Sequence, residues 1–399
     1  MRASGFRLLF FSTLASSIGT FLAAVALAID VKDRTNSGLW VSGVLVVEFL
    51  PTVLLGLTLG PLLDRLDRRR LMVGADLVRV AVFVALTFAT SAGEIVALAA
   101  VAGIANGFFR PAVYAGVPNL VSADELPSAN GLLQTIENVS WAAGPILGGL
   151  LTAAYGPDAS YWINAVSFVV SAVLVARIPS RLLQSTTALS RGHWTDLKEG
   201  FTASMHLRPV RAVVVAWSIA ALGTGAITVS EVFLAKNTFD AGDFGYGLLY
   251  GAIGTGLVIG GLASSTVVAR AGVARAYSVA LLGMAVGFGG AAVSIGVWMA
   301  AAFCVVGGTG NGIAVVCNAL LIQRGAPDEV RGRAMTFAMS VTFGMMGLSM
   351  VLAGALMPPD GARWVWAAGS LCLVLAAGVA YALTRPVVAT PRPAEATAN

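Results

Sequence analysis

Twelve apolar runs, each long enough to cross a lipid bilayer as a helix, take up most of this chain and limit what it can become. They fall near residues 8–29, 39–63, 71–92, 94–117, 128–154 and 160–177, then 211–235, 244–269, 276–297, 299–322, 332–357 and 363–384. At a helical rise of 1.5 Å per residue, about 20 mostly apolar residues span the hydrocarbon layer. The polar breaks are short, so few of the 399 residues remain for a water-soluble catalytic domain. A composition of 57% hydrophobic and 11% charged residues, with mean hydropathy +0.83, suits lipid as the solvent. Strand-like alternation is absent, which excludes a transmembrane barrel. The expected fold is an all-α membrane protein of twelve transmembrane helices. The first run, Leu8 to Ile29, is read as a span because it exceeds the roughly 7 to 15 residues of a signal-peptide core.

Charge orients the expected bundle, because Lys and Arg are retained on the cytoplasmic side. With both termini cytoplasmic, 19 of the 25 basic residues fall inside and four (Lys32, Arg34, Lys236, Arg363) fall outside. Arg79 and Arg110 stand within spans. The same bias accounts for the net charge of +5, so no nucleic-acid partner is expected. Three cysteines, all in apolar runs, are read as small buried hydrophobes. The two histidines lie together in one polar loop. No metal site and no cofactor are expected from that set, and a membrane-embedded enzyme is disfavoured.

The longest polar stretch, 178–210, divides the runs into two sets of six. The expected organisation is a first bundle over 1–177, a cytoplasmic linker over 178–210, a second bundle over 211–385 and a disordered tail over 386–399. Within the linker Trp194, Leu197, Phe201 and Met205 recur at helical spacing, which suits either an amphipathic surface helix or a plain connector. The two sets also resemble each other. Asn106-Gly107 is followed by Asp124-Glu125, and Asn311-Gly312 by Asp328-Glu329, at offsets of about half the chain. Each acidic pair precedes a helix start, where carboxylates complement the dipole. Two pseudo-symmetric halves follow.

Between the second and third runs stands Gly60-Pro-Leu-Leu-Asp64-Arg65-Leu-Asp67-Arg68-Arg69-Arg70. This resembles the signature loop of the major facilitator superfamily. Asp67 occupies a position usually held by glycine in that family. The resemblance implies two six-helix halves that alternate access to a central site, with Gly60, Asp64, Arg65, Arg68 and Arg69 as conformational residues. Gly144-Pro145-Ile-Leu-Gly148-Gly149, with Phe108 to Ala112 and Asp124 to Asn130, is similar to the exporter branch that includes enterobactin exporters and macrolide efflux proteins. Pro145 removes one backbone hydrogen bond and can bend its helix. The basic residue that drug–proton antiporters carry early in the fourth span is missing over Leu98 to Val101.

A charge in hydrocarbon is costly and suggests function. Glu48 and Glu137 sit near mid-depth and are the candidates for proton coupling, against a structural pairing of either with Arg79 or Arg110. Arg110 is expected to close a gate with Asp64 or Glu137. Asp76 and Arg79, three apart, are expected to pair locally. Glu231, near the end of its run, is expected at the rim. Phe49, Trp141, Phe233, Phe337, Met339 and Met345 are candidates to line an adaptable apolar cavity. The function these readings imply is a proton-coupled exporter of small amphipathic compounds such as drugs, siderophores or secondary metabolites. Its partners would be that substrate, protons and the lipid bilayer, as a monomer in a bacterial cytoplasmic membrane. An importer or lipid transporter of the same fold, and a non-transporting receptor or scaffold, are the alternatives.

Overall fold

A computed structural model describes residues 2–58, 66–122, 124–183, 206–358 and 360–384. Gly60, Asp64, Arg65, the proposed linker helix and the tail lie outside the described residues, as does the side chain of Phe49. The described residues form twelve long α-helices: α1 (Arg2–Thr35), α2 (Gly38–Thr58), α3 (Arg68–Leu86), α4 (Ala92–Leu120), α5 (Leu126–Tyr155) and α6 (Pro157–Ala176), then α7 (Arg208–Phe233), α8 (Gly242–Ala271), α9 (Val273–Val293), α10 (Val297–Gly325), α11 (Asp328–Leu356) and α12 (Ala362–Thr384). A π-helical turn over Leu234–Thr238 prolongs α7. Among the described residues nine helices are long and apolar enough to cross a membrane. The other three are α2, α3 and α5. Of these, α3 carries Arg68, Arg69, Arg70, Asp76 and Arg79, and α5 carries several polar side chains.

Packing repeats with a period of six helices. In the first set α1 lies on α5 and α6, α2 on α4, and α3 on α4 and α6; in the second α7 lies on α11 and α12, α8 on α10, and α9 on α10 and α12. Between the sets α5 meets α8 and α2 meets α11, which is one pairing with the roles exchanged. Buried positions are rich in alanine and glycine, whose size lets helix backbones approach when lipid offers no hydrophobic drive to associate. Many large apolar side chains point outward as well, among them Leu262, Ile295 and Trp364. Such a surface suits hydrocarbon and would be a liability in water.

Two local expectations change. Cys304 and Cys317 are buried, but Cys372 is only partly so. Asp67 needs no glycine-like backbone: in extended conformation it N-caps α3, its carboxylate accepting from the Arg70 amide at 3.0 Å and from the Ser180 hydroxyl.

Candidate functional site

The charges in the first set divide into two separate pairs. Asp76 and Arg79, one turn apart on α3, bond directly and are both buried. Ser171 donates to Asp76 at 2.7 Å, and the guanidinium lies between the rings of Phe109 and Phe168, 4.3 and 4.2 Å from their centroids. Arg79 is therefore taken and does not serve Glu48 or Glu137. Arg110 from α4 reaches Glu137 on α5, and Tyr114 donates to the other carboxylate oxygen at 3.0 Å. Arg110 is about half exposed and Glu137 15% exposed, so this pair sits at the edge of a small polar cavity shared with Thr13, Ser16 and Asn106. Of the two partners expected for Arg110, the structure records Glu137. Asp64 lies outside the described residues.

The signature loop leaves its basic cluster partly anchored. Arg68 is buried and donates to the carbonyls of Ala115 at 2.9 Å and Leu183 at 2.8 Å, tying α3 to α4 and to the chain beyond α6. Arg69 is half-buried on the first turn of α3. The glycines of α5 face two ways. Gly144 abuts Phe21 and Gly148 abuts Leu22, both on α1. Gly149 faces the other set, where an added Cβ would stand 2.8 Å from the Asp243 carbonyl and 2.9 Å from the Gly247 Cα. Pro145 lines the same seam through its carbonyl against Gly247.

A cavity of about 540 Å³ lies inside the second set, framed by residues of α7 to α11 with Trp141 from α5 against it. Trp141 and Met339 line it. Phe233 does not: it is buried in the core, because the residue two positions after Glu231 turns away from the cavity face of α7. Phe337 packs against the core and Met345 is half-buried; neither lines the cavity. Sequence reasoning passed over Thr224, Thr228, Asn318 and Thr342, all lining residues. Thr224, Thr228 and Glu231 stand at i, i+4 and i+7 on α7, a spacing that could have marked this face.

Glu231 is the largest correction. It is 2% exposed, with one carboxylate oxygen lacking any hydrogen-bond partner, not at the rim. Glu48 is half-buried and has no recorded ion pair among the described residues. Trp141 donates its indole N–H to the Tyr250 hydroxyl at 3.2 Å, linking the two sets above the cavity.

One end of the seam is closed. Lys236, in the turn after α7, bonds Asp33 of α1 at 2.7 Å and Asp243 of α8. Gly38 at the start of α2 meets Gly354 near the end of α11. Closure thus lies beyond the C-terminal ends of α1, α5, α7 and α11.

A family model described as Major Facilitator Superfamily matches residues 9–349. The multidrug efflux pump Tap of Mycolicibacterium fortuitum is 25% identical over 396 residues, covering 95% of each chain. Macrolide efflux protein A of Streptococcus pyogenes is 24% identical over 254 residues, covering 62% of each chain, so the match spans about three fifths of that relative's length. Among solved structures, the nucleoside transporter NupG superposes with TM-score 0.76 at 12% identity, over 96% of this chain and 100% of its own. A bacterial homologue of the iron transporter ferroportin, in an inward-facing state, gives 0.74 at 17%, over 96% and 99%.

Proposed function

This chain belongs to the Major Facilitator Superfamily, and from that premise we propose that it is a proton-coupled exporter of small amphipathic compounds such as drugs, siderophores or secondary metabolites. Members of the family are membrane transporters and not enzymes, and they bind small molecules within the bilayer. The observation that carries the proposal is the cavity of about 540 Å³, apolar and without a charged side chain among its described lining residues, beside a seam held closed at the Lys236 end. Its size falls within the roughly 300–1,000 Å³ of ligand pockets. The efflux pumps of similar sequence favour export.

In this reading all twelve helices span the bacterial cytoplasmic membrane with both termini inside, and the chain works as a monomer. The halves are 1–177 and 211–385, joined by the linker 178–210 and followed by the tail 386–399. The closed end is then the outer one, and the conformation opens to the cytoplasm. Rocking of the halves would break the Lys236 bridge and close the opposite end, with Gly60, Asp64, Arg65, Arg68 and Arg69 as conformational residues. Glu137 and Glu48 are the carboxylates assigned to proton coupling. Glu137 would exchange its Arg110 partner for a proton, and Glu48, with no ion pair among the described residues, would be the second carrier.

The test is transport into inside-out vesicles carrying the protein, using a panel of labelled compounds under an imposed pH gradient. Accumulation of at least one compound that collapses when the gradient is dissipated is the expected result. Accumulation that survives dissipation of the gradient removes proton coupling, and none across the panel removes the export reading.

A further inference from the structure

Resting on the reading of the large cavity as the cargo site, we infer that its cargo is uncharged when bound and is held through its own N–H or O–H groups. Among the described residues no lining side chain is Asp, Glu, Lys, Arg or His. An ion placed there would lose its water without gaining a counter-charge, which costs several kcal/mol in a low-dielectric interior. Glu231 lies one helical turn beyond Thr228 on α7, but its carboxyl group is buried away from the cavity.

The lining hydroxyls and the Trp141 indole have no hydrogen left to give, while Trp217, Asn311 and the Asn318 amide nitrogen add N–H donors beside the acceptors. Thr224 donates its hydroxyl hydrogen to the Ala220 carbonyl at 3.1 Å, Thr228 to Thr224 at 2.9 Å and Thr342 to Ala338 at 2.8 Å. Each hydroxyl oxygen keeps lone pairs and has no hydrogen left to give. Trp141 likewise spends its indole N–H on Tyr250. Asn318 is the decisive residue. It lines the cavity at 9% exposure, and its Oδ1 has no hydrogen-bond partner. A buried amide oxygen left unpaired is destabilising, and a ligand donor would relieve it. The terminal amide torsion is soft, so the oxygen can turn to meet a donor. Methionines 284, 335, 339 and 346 supply the adaptable apolar remainder.

The experiment uses the full chain in lipid nanodiscs and four probes: N-phenyl-1-naphthylamine, uncharged with one N–H; its N-methyl derivative, with no donor; 8-anilino-1-naphthalenesulfonate, the same frame with a negative charge; and tetraphenylphosphonium, a permanent cation. Binding of the naphthylamine probes is read by energy transfer from tryptophan, with reduced signal in Trp217→Phe locating the probe in the cavity, and binding of tetraphenylphosphonium by its displacement of the neutral probe. Wild type should bind the N–H compound about fivefold more tightly than its N-methyl derivative, the size of one net hydrogen bond. Asn318→Leu should abolish that preference, and both charged probes should bind at least tenfold more weakly. Should Asn318→Leu fail to fold, Thr228→Val supplies the second measurement, where the preference should shrink.

Equal binding of the N–H and N-methyl compounds by wild type overturns the inference while leaving the transport reading intact. So does a charged probe bound as tightly as the neutral one, and most clearly if Glu231→Gln then removes the phosphonium. If no probe binds in the cavity, the assignment of this cavity as the cargo site falls together with the inference.

Discussion

Lys236, in the π-helical turn that ends α7, holds Asp33 of α1 at 2.7 Å across the boundary between the two sets of helices, and its ammonium group also bonds Asp243 of α8. One cation thus ties both sets to a single point, beside the glycine contacts that bring α5 against α8 and α2 against α11. Lys236→Ala should free that end. A partly exposed ion pair is worth up to about 1 kcal/mol, so the open-to-closed ratio should rise by up to about fivefold. The readout is labelling of Ala221→Cys, a cavity residue, by an impermeant maleimide added outside cells, in a Cys372→Ser background. Unchanged labelling would mean that the bridge does not hold the gate.

The ion pair of Asp76 and Arg79 is the strongest single commitment of charge in the first set. Asp76→Asn leaves a guanidinium buried between two aromatic rings without its carboxylate, a loss of about 3–5 kcal/mol in comparable sites. The thermal midpoint in detergent should fall accordingly. Asp76→Leu combined with Arg79→Met should cost less than the sum of the two single changes, because no uncompensated charge remains. Additive losses would show that the residues act separately.

Asp67 offers a test outside the membrane. The Ser180 hydroxyl, together with the backbone amide of Arg70, holds its carboxyl group below the ordinary aspartate range. A lowered folded value means the stabilisation is fully present above the unfolded value of about 3.9 and is lost as pH falls through the folded value. Asp67→Ala should lose about 1 kcal/mol at neutral pH as a missing N-cap. The difference between variant and wild type should then narrow on acidification below pH 4 in urea unfolding. A gap that stays constant to pH 2 would discount the carboxylate.

For the carboxylates proposed to couple protons, Glu137→Gln keeps size and hydrogen bonding but cannot titrate. Proteoliposomes carrying this variant should lose most uphill transport while downhill exchange of cargo survives. Glu48→Gln should do the same if Glu48 is the carrier, and the double variant should be insensitive to an imposed pH gradient if both share the task. Full pH-driven accumulation by the double variant would falsify coupling through either residue and turn attention to Glu231.

The helices were legible because twelve apolar runs admit few other folds, and the termini differ from the expected ones mainly where polar first and last turns extend beyond the hydrocarbon-like core. The first run, read from residue 8, belongs to a helix that begins at Arg2 and ends at Thr35. The facing of side chains was much less legible. In a helix packed on protein on several sides the apolar stripe widens until it no longer points anywhere, so Phe233 and Met345 were as plausible for the cavity as Met339. Glu231 was misread for another reason. Its run was taken to stop at 235, which places the acid near water, whereas the π turn carries α7 on to Thr238 and leaves Glu231 inside. Asp76 with Arg79 was readable because two opposite charges one turn apart inside a span satisfy each other, whereas for Arg110 the sequence leaves Asp64 and Glu137 both open and only the packing of α4 on α5 brings Glu137 to it.

Every lining residue of the large cavity except Trp141 comes from α7 to α11. Cargo held there would ride with the second set, while the first set, braced internally by Asp76 and Arg79, swings past it. Inheritance could then act on the two duties separately: substitutions at Thr228, Asn318 or Met339 would redraw the menu of compounds without disturbing the hinge. A lineage facing a new toxin would need to rework one helical bundle and leave the other alone.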